Sequence, residues 1–229
     1  MLNFACPAGL LAPLVPRGTE LDARGGVTQV SLVGFMFRDT RVLGVPVPFH
    51  RTFEEVNLRF YVRREVGGEV RRGVVFVQEL VPRWAIATVA RVLYQERYRA
   101  VRMSHRVDLV DGAVPVGGAV EYSWSASGST YRMRCVVSGG AAEIDAGSEE
   151  EFITEHYWGY AAQRDGGTVE YQVEHPRWRV HPVGERYVEG DLAGLYGPAF
   201  GEVLSAAPRS AFVATGSRIV VRGGRRLPV

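Results

Sequence analysis

The residues best placed to do chemistry lie in one short run, EEVNLRFYVRR at positions 54 to 64. Its alternation makes a strand with two unlike faces: Val56, Leu58, Phe60 and Val62 on one, and Glu55, Asn57, Arg59, Tyr61 and Arg63 on the other. Same-face neighbours on a strand stand roughly 7 Å apart, so an acid, an amide, a guanidinium and a phenol form a row. Such a row can fix a small polar molecule, because arginine offers two parallel donors to a carboxylate and the other groups set its orientation. In a half-solvated sheet the same face would simply be wet. Glu79 is a second candidate acid, since GVVFVQELV at 73 to 81 is apolar on both faces and reads as a strand covered on both sides. A carboxylate buried there must be neutralised or matched to an arginine. If Glu55 and Glu79 share one apolar cavity, their pKa values are driven apart and one can act as acid or base.

Other chemistries are excluded by what the chain lacks. All 27 basic residues are arginine. Schiff-base catalysis, pyridoxal attachment and a Walker loop each need a side-chain primary amine, and none is present. The histidines are His50, His105, His156, His175 and His181. No two of them have the spacing of a zinc protease, and no HExxH motif occurs. His156 and His175 each follow a glutamate, but adjacent residues on a strand point to opposite faces, so neither pair marks a dyad. No Gly-x-Ser-x-Gly elbow supports a serine hydrolase. Cys135 reads as a buried core thiol. No metal and no cofactor are expected.

The elements that must position the row are mainly strands. Residues 27 to 38 are rich in β-branched and aromatic types, and 118 to 137 read as a hairpin turning near Ser127 and Gly128, with Val120, Tyr122 and Trp124 facing one way on one arm and Tyr131, Met133 and Cys135 on the other. Further strands are expected at about 168 to 175 and 210 to 222. One long helix is expected from Trp84 to Glu96, opened by Pro82. Ser148 before three glutamates signals the start of a short helix running to Thr154, and Leu10 to Val15 reads as another packed on the core. The aromatics Tyr157, Trp158, Tyr160 and Trp178 read as core filling. No internal repeat or linker divides the chain.

Bulk composition fits one soluble domain: 46% hydrophobic, 23% charged and a formal charge of +2 over 229 residues. Two cysteines are too few for a disulfide framework, which favours a reducing, cytoplasmic setting. Charge is spread evenly apart from the Arg222 to Arg226 tail, so no nucleic-acid partner is expected. Leu10 to Val15 is far too short to span a bilayer, and no membrane partner is expected. Homo-oligomer formation is left open.

With these elements in order, the chain resembles the YqjF-like proteins, an uncharacterised group in the acetoacetate-decarboxylase-like superfamily. The resemblance is carried by LLAPLVPRGTELD at 10 to 22, VSLVGFMFRDTRVLGVPVPFHRTFEEVNLRFYVRR at 30 to 64, RRGVVFVQELVPRWAIATVARVLYQERY at 71 to 98, FITEHYWGY at 152 to 160 and VEHPRWRV at 173 to 180. It implies a mainly β (α+β) fold: an antiparallel closed or cone-like β-barrel with a few short peripheral helices and an interior pocket. The superfamily's defining enzyme holds a 3-oxo acid as an imine on a lysine, in a motif of Gly-Arg-Glu followed by Pro-Lys-Lys. The matching segment here is Ala90-Arg91-Val92, then Gln95-Glu96-Arg97-Tyr98, so the glutamate has become Val92 and the lysine position falls on or near Tyr98. A guanidinium stays protonated and cannot serve instead. Decarboxylation through a Schiff base is therefore excluded.

Glu55, in Phe53-Glu54-Glu55, resembles the family's glutamate after an aromatic. In a closed barrel one face of each strand must point inward, so the polar row becomes an expected interior lining. The candidate site is then Glu55 and Glu79 as acids, with Asn57, Arg59, Tyr61, Arg91, Tyr98, His156 and His175 as ligand contacts. The expectation is a single domain over 1 to 229, with a flexible tail at 222 to 229, that binds a small carboxylate or carbonyl compound in its interior. The alternatives are an enzyme using glutamate acid-base chemistry on an oxo acid, as an isomerase, hydratase or lyase, and a structural or interaction protein whose barrel is filled by its own side chains. Chains of this resemblance often begin earlier, within a first strand, so Met1 as the native start is also left open.

Overall fold

The computed structural model describes residues 1–42, 45–46, 52–82 and 98–228. The expected helix from Trp84 to Glu96, together with Arg91, His50 and the Ala90–Arg97 part of the family motif, lies outside the described residues.

Eleven main strands carry the fold. They are β1 (Leu2–Ala5), β2 (Gln29–Phe37), β3 (Phe53–Val66), β4 (Glu69–Pro82), β5 (Tyr98–Val107), β6 (Ala119–Ala126), β7 (Ser129–Val137), β8 (Trp158–Ala162), β9 (Thr168–Glu174), β10 (Arg179–Glu189) and β11 (Ser210–Ala214). Nine of them close a barrel in the order β4-β5-β6-β7-β10-β11-β1-β2-β3 and back to β4. Every joint is antiparallel except β4–β5, which is parallel with Glu79 beside Tyr98. The barrel is therefore mixed where a wholly antiparallel one was expected, because two successive strands joined by a long crossover can lie parallel. The hairpin of β6 and β7 forms in the expected register, with Tyr122 opposite Met133 and Trp124 opposite Tyr131. It turns at Ser127 and Gly128, both with positive φ. The lower part of β4 also pairs with β8, and β9 follows outside it.

Short helices pack around this wall. α1 (Ala8–Leu11) continues into a 3-10 turn at Ala12–Leu14 and buries Leu11 completely. α2 (Glu149–Thr154) is capped by Ser148, whose hydroxyl accepts from the Glu151 N–H at 3.1 Å, and its three leading glutamates lie at the positive end of the helix dipole. α3 (Leu192–Tyr196) and α4 (Pro198–Ser205) follow β10, the second opened by a proline at its first turn. No helix among the described residues is long and apolar enough to cross a membrane.

The barrel interior is apolar. Val56, Leu58, Phe60 and Val62 of β3 join one core with Leu2, Val30, Leu32, Leu80, Val101, Trp124, Met133 and Cys135, which come from six of the other wall strands. Gly34 on β2 fixes which face is inner. A Cβ built on it would stand 2.6 Å from the ring of Tyr122 on β6, a strand on the far side of the ring. That contact can only cross the interior. Gly34→Ala is accordingly expected to cost about 1–3 kcal/mol through overpacking, read as a lower midpoint in chemical denaturation; an unchanged midpoint would mean the opposing walls are not in contact.

Two expectations are corrected here. The odd-numbered row of β3 does not line the barrel interior: the inward face is the apolar one, since transfer of Val56, Leu58, Phe60 and Val62 from water drives them together. The odd row lies on the outer face of the wall: Glu55, Asn57 and Tyr61 are buried, Arg59 is half-buried and Arg63 exposed, and α2 covers the Arg59–Tyr61 part through Ile153 and Phe152. The arginine-rich end is not a loose tail either. Arg225–Arg226 pairs with β9, and Leu227 is buried in the main core.

Candidate functional site

Along the outer face of β3 the polar side chains fall into two groups. Glu55 and Asn57 are each 2% exposed and Glu79 is fully buried. The Asn57 amide donates to Glu55 Oε1 at 2.9 Å, Asn57 lies directly across from Glu79 on β4, and Glu79 lies across from Tyr98 on β5. Four of the expected site residues therefore meet on three adjacent strands. Just beyond, the ladder slips: Leu58 faces Gln78 and Arg59 faces Phe76, leaving Val77 as an extra residue. Such a bulge bends its strand and re-aims the side chains that follow.

Past the bulge the row becomes cationic. Arg59 donates through one terminal nitrogen to the carbonyl of Ile153 in α2, at a long 3.4 Å, and its buried Nε has no hydrogen-bond acceptor among the described residues. Its guanidinium carbon stands 5.8 Å from the centroid of the Tyr61 ring. This contrasts with its arginine neighbours: Arg72 Nε bonds Asp22 at 2.7 Å, while Arg64 and Arg71 share the carboxylate of Glu170.

Tyr61 is 1% exposed and is held by a chain of polar groups. Ser31 donates to Asn3 Oδ1 at 2.6 Å, the Asn3 amide donates to Ser210 at 2.9 Å, and Ser210 donates to Glu149 Oε1 at 2.8 Å. Because the one Ser31 proton goes to Asn3, the 2.5 Å contact between Tyr61 and Ser31 has the phenol as donor. The whole chain is polarised toward the Glu149 carboxylate. Toward the site, Tyr61 presents only lone pairs.

His156 packs against Tyr61 with ring centroids 4.6 Å apart and against Phe152 at 5.4 Å, and its Nε2 lies 3.6 Å from Asp22 Oδ2. Burial, aided by the charges of Arg72 and Arg59 and opposed by Asp22, pushes its pKa down to about 4. The ring is neutral at pH 7. Burial raises the Asp22 carboxyl, but the nearby His156 and the bond from Arg72 outweigh it and hold the group below its usual range.

His175 stands apart from this site. It stacks on Trp178 at 4.2 Å and lies 4.8 Å from Tyr157, in a half-buried aromatic group that the row does not reach. Cys135 is buried, and its thiol pKa is raised by desolvation, as suits a core residue. No cluster of three metal-ligating side chains occurs among the described residues. Sequence reasoning missed Asp22, Arg72, Asn3 and Glu149, whose roles depend on cross-strand register. Ser31 did leave a signal, as the one hydroxyl in the apolar run VSLVGF.

A closed nine-stranded barrel whose walls pack directly on one another, with short helices outside, defines the acetoacetate-decarboxylase-like fold. An acetoacetate decarboxylase-like enzyme from Sphingomonas wittichii RW1 has this fold, with a TM-score of 0.57 and 16% identity, over 99% of this chain and 89% of that one. The enduracididine biosynthesis enzyme MppR, solved in complex with pyruvate, matches at a TM-score of 0.64 and 14% identity, over 98% and 86%. Acetoacetate decarboxylase from Legionella pneumophila matches at 0.58 and 11% identity, over 99% and 83%. The chain itself belongs to the DUF2071 family, described as uncharacterized conserved proteins (COG2071), whose model matches residues 1–218. No curated protein sequence matches it.

Proposed function

We propose that this protein binds a small carboxylate- or carbonyl-bearing molecule on the outer face of β3, with Arg59 as the anion clamp, and that it performs no Schiff-base decarboxylation. One observation carries the reading: the buried Nε of Arg59 lacks an acceptor among the described residues, and the guanidinium makes a single long bond there. A buried donor left unmade costs about 1–3 kcal/mol, which an incoming carboxylate recovers. Among the described residues the recorded partners of Arg59 are neutral: the Ile153 carbonyl and the face of the Tyr61 ring. The pyruvate complex of MppR, which shares the fold, supports a small carboxylate as the ligand class. With no lysine in the chain, the imine route is closed. Two buried free cysteines fit a reducing compartment such as the cytoplasm.

Titrating pyruvate into the purified protein tests this. Saturable binding is expected in the wild type, weakened about tenfold or more in Arg59→Gln, equivalent to roughly 1.4 kcal/mol. Equal affinity in the two proteins would refute the clamp. A second reading, glutamate acid-base chemistry on the bound oxo acid, is favoured by the placement of Asn57 between Glu55 and Glu79. Repeating the titration across pH in Glu55→Gln separates the two, because only the second reading requires a titrating glutamate.

A further inference from the structure

On the opposite face of β3 a cavity of about 200 Å³ opens between Arg17, Arg64, the Gly166–Gly167 turn and the C-terminal Leu227–Pro228. Arg64 links this wall to a cluster of charge behind it. Glu170, fully buried, accepts from Arg64 at 3.1 Å, from Arg71 at 2.9 Å and from Arg225 at 2.7 Å, so three guanidiniums meet one carboxylate. Arg71 also lies 3.5 Å from Glu69, and the nearby Arg226 is neutralised by Asp165 at 2.6 Å, which leaves Arg17, Arg64 and Arg225 against Glu170. Arg17, exposed at the rim, has no ion-pair partner among the described residues. Around the cavity the described charges therefore sum to an excess of positive charge, in a recess where screening is weaker than on open surface.

The recess is kept open by residues without side chains. Gly166 has φ +80°, and a Cβ there would meet nothing within 4 Å. Gly18 also lines the cavity, facing Leu227. We propose that this cavity is a binding site for a small oxyanion of the phosphate type, gripped by the guanidiniums of Arg17 and Arg64. Arginine matches phosphate geometry with its planar donors, and a phosphate carries about −1.5 to −2 charge at neutral pH, which complements the cluster's surplus. The site is separate from the one built on Arg59: positions 59 and 64 differ by an odd number, so their side chains leave β3 on opposite faces. Free phosphate and the phosphoryl group of a monoester share this chemistry.

The test is calorimetric titration of the full chain at low ionic strength with inorganic phosphate and, separately, with methyl phosphate. One saturable site is expected for at least one of them, and the tighter of the two names the source. Arg17→Glu should weaken it at least tenfold while leaving the thermal midpoint unchanged, since Arg17 is exposed. Arg17→Gln should fall between the two. Arg59→Gln should leave phosphate binding intact and lose only pyruvate, which keeps the fate of this site independent of the proposed carboxylate site. The proposal is overturned if neither phosphate binds, if Arg17→Glu binds as well as wild type, or if Arg59→Gln abolishes phosphate binding.

Discussion

Glu170→Ala is expected to cost about 3–5 kcal/mol of folding stability, the penalty for removing one partner of a buried ion cluster. The carboxylate receives Arg64, Arg71, Arg225 and the hydroxyl of Tyr160 at 3.1 Å, and it is completely shielded from water. These donors come from β3, β4, β8 and the C-terminal segment, so one side chain ties the β8–β9 extension and the chain end to the barrel wall. Without it, the largely shielded guanidiniums of Arg64 and Arg71 lose the carboxylate they share. Burial raises the Glu170 carboxyl, yet bonds from Arg225, Tyr160 and Arg64 prevail and hold it below its ordinary value of 4.5. A depressed carboxyl pKa stabilises the fold above the unfolded value and loses that contribution as pH falls through the folded one. The loss therefore belongs below pH 4.5. Urea denaturation at pH 7 measures the mutational effect, and a change under about 1 kcal/mol would mean the cluster is no more than a surface pair.

Acidification should weaken the protein earlier than this, through His156. Its pKa falls from 6.5 unfolded to about 4 folded, so between those values the unfolded chain binds a proton that the native state refuses. Stability then rises with pH across the window, is complete above 6.5, and is lost as pH falls toward 4. A shift of this size corresponds to roughly 3 kcal/mol. Denaturation midpoints at half-unit steps from pH 7 to 4 should trace the decline, and His156→Phe should flatten it. An identical slope in the variant would assign the pH dependence to other groups. The cause is geometric: the imidazole sits between Tyr61 and Phe152, with Arg59 and Arg72 close enough to oppose its charge.

How far the molecule was legible in its sequence depended on the range of the interactions. Alternation placed β3 within two residues at each end and put Glu55, Asn57, Arg59 and Tyr61 on one face, because side-chain period is a local property. The Ser148 cap and the β6–β7 hairpin were readable for the same reason. Which face turned inward was not local. It required knowing that Gly34 and Tyr122 would meet across the barrel, and a mixed row of acid, amide and guanidinium reads equally as pocket lining or as an outer face awaiting a cover. The cover, α2, comes about ninety residues later in the chain, and the sequence gives no sign that Ile153 will receive Arg59. His156 and His175 looked alike, each behind a glutamate. Only tertiary packing separates the one beside Tyr61 from the one stacked on Trp178. The same limit hid Arg225, which reads as part of a loose basic tail until Glu170 is placed beneath it.

Binding depends on Arg59 holding a carboxylate outside the barrel wall. A crystal structure of the protein soaked in pyruvate addresses that claim most directly. Density for the carboxylate should bridge to the Arg59 guanidinium between β3 and α2. Pyruvate found instead among Trp124, Tyr122 and Met133 inside the barrel, or an Arg59 guanidinium unchanged and bare of ligand at saturating pyruvate, would contradict it.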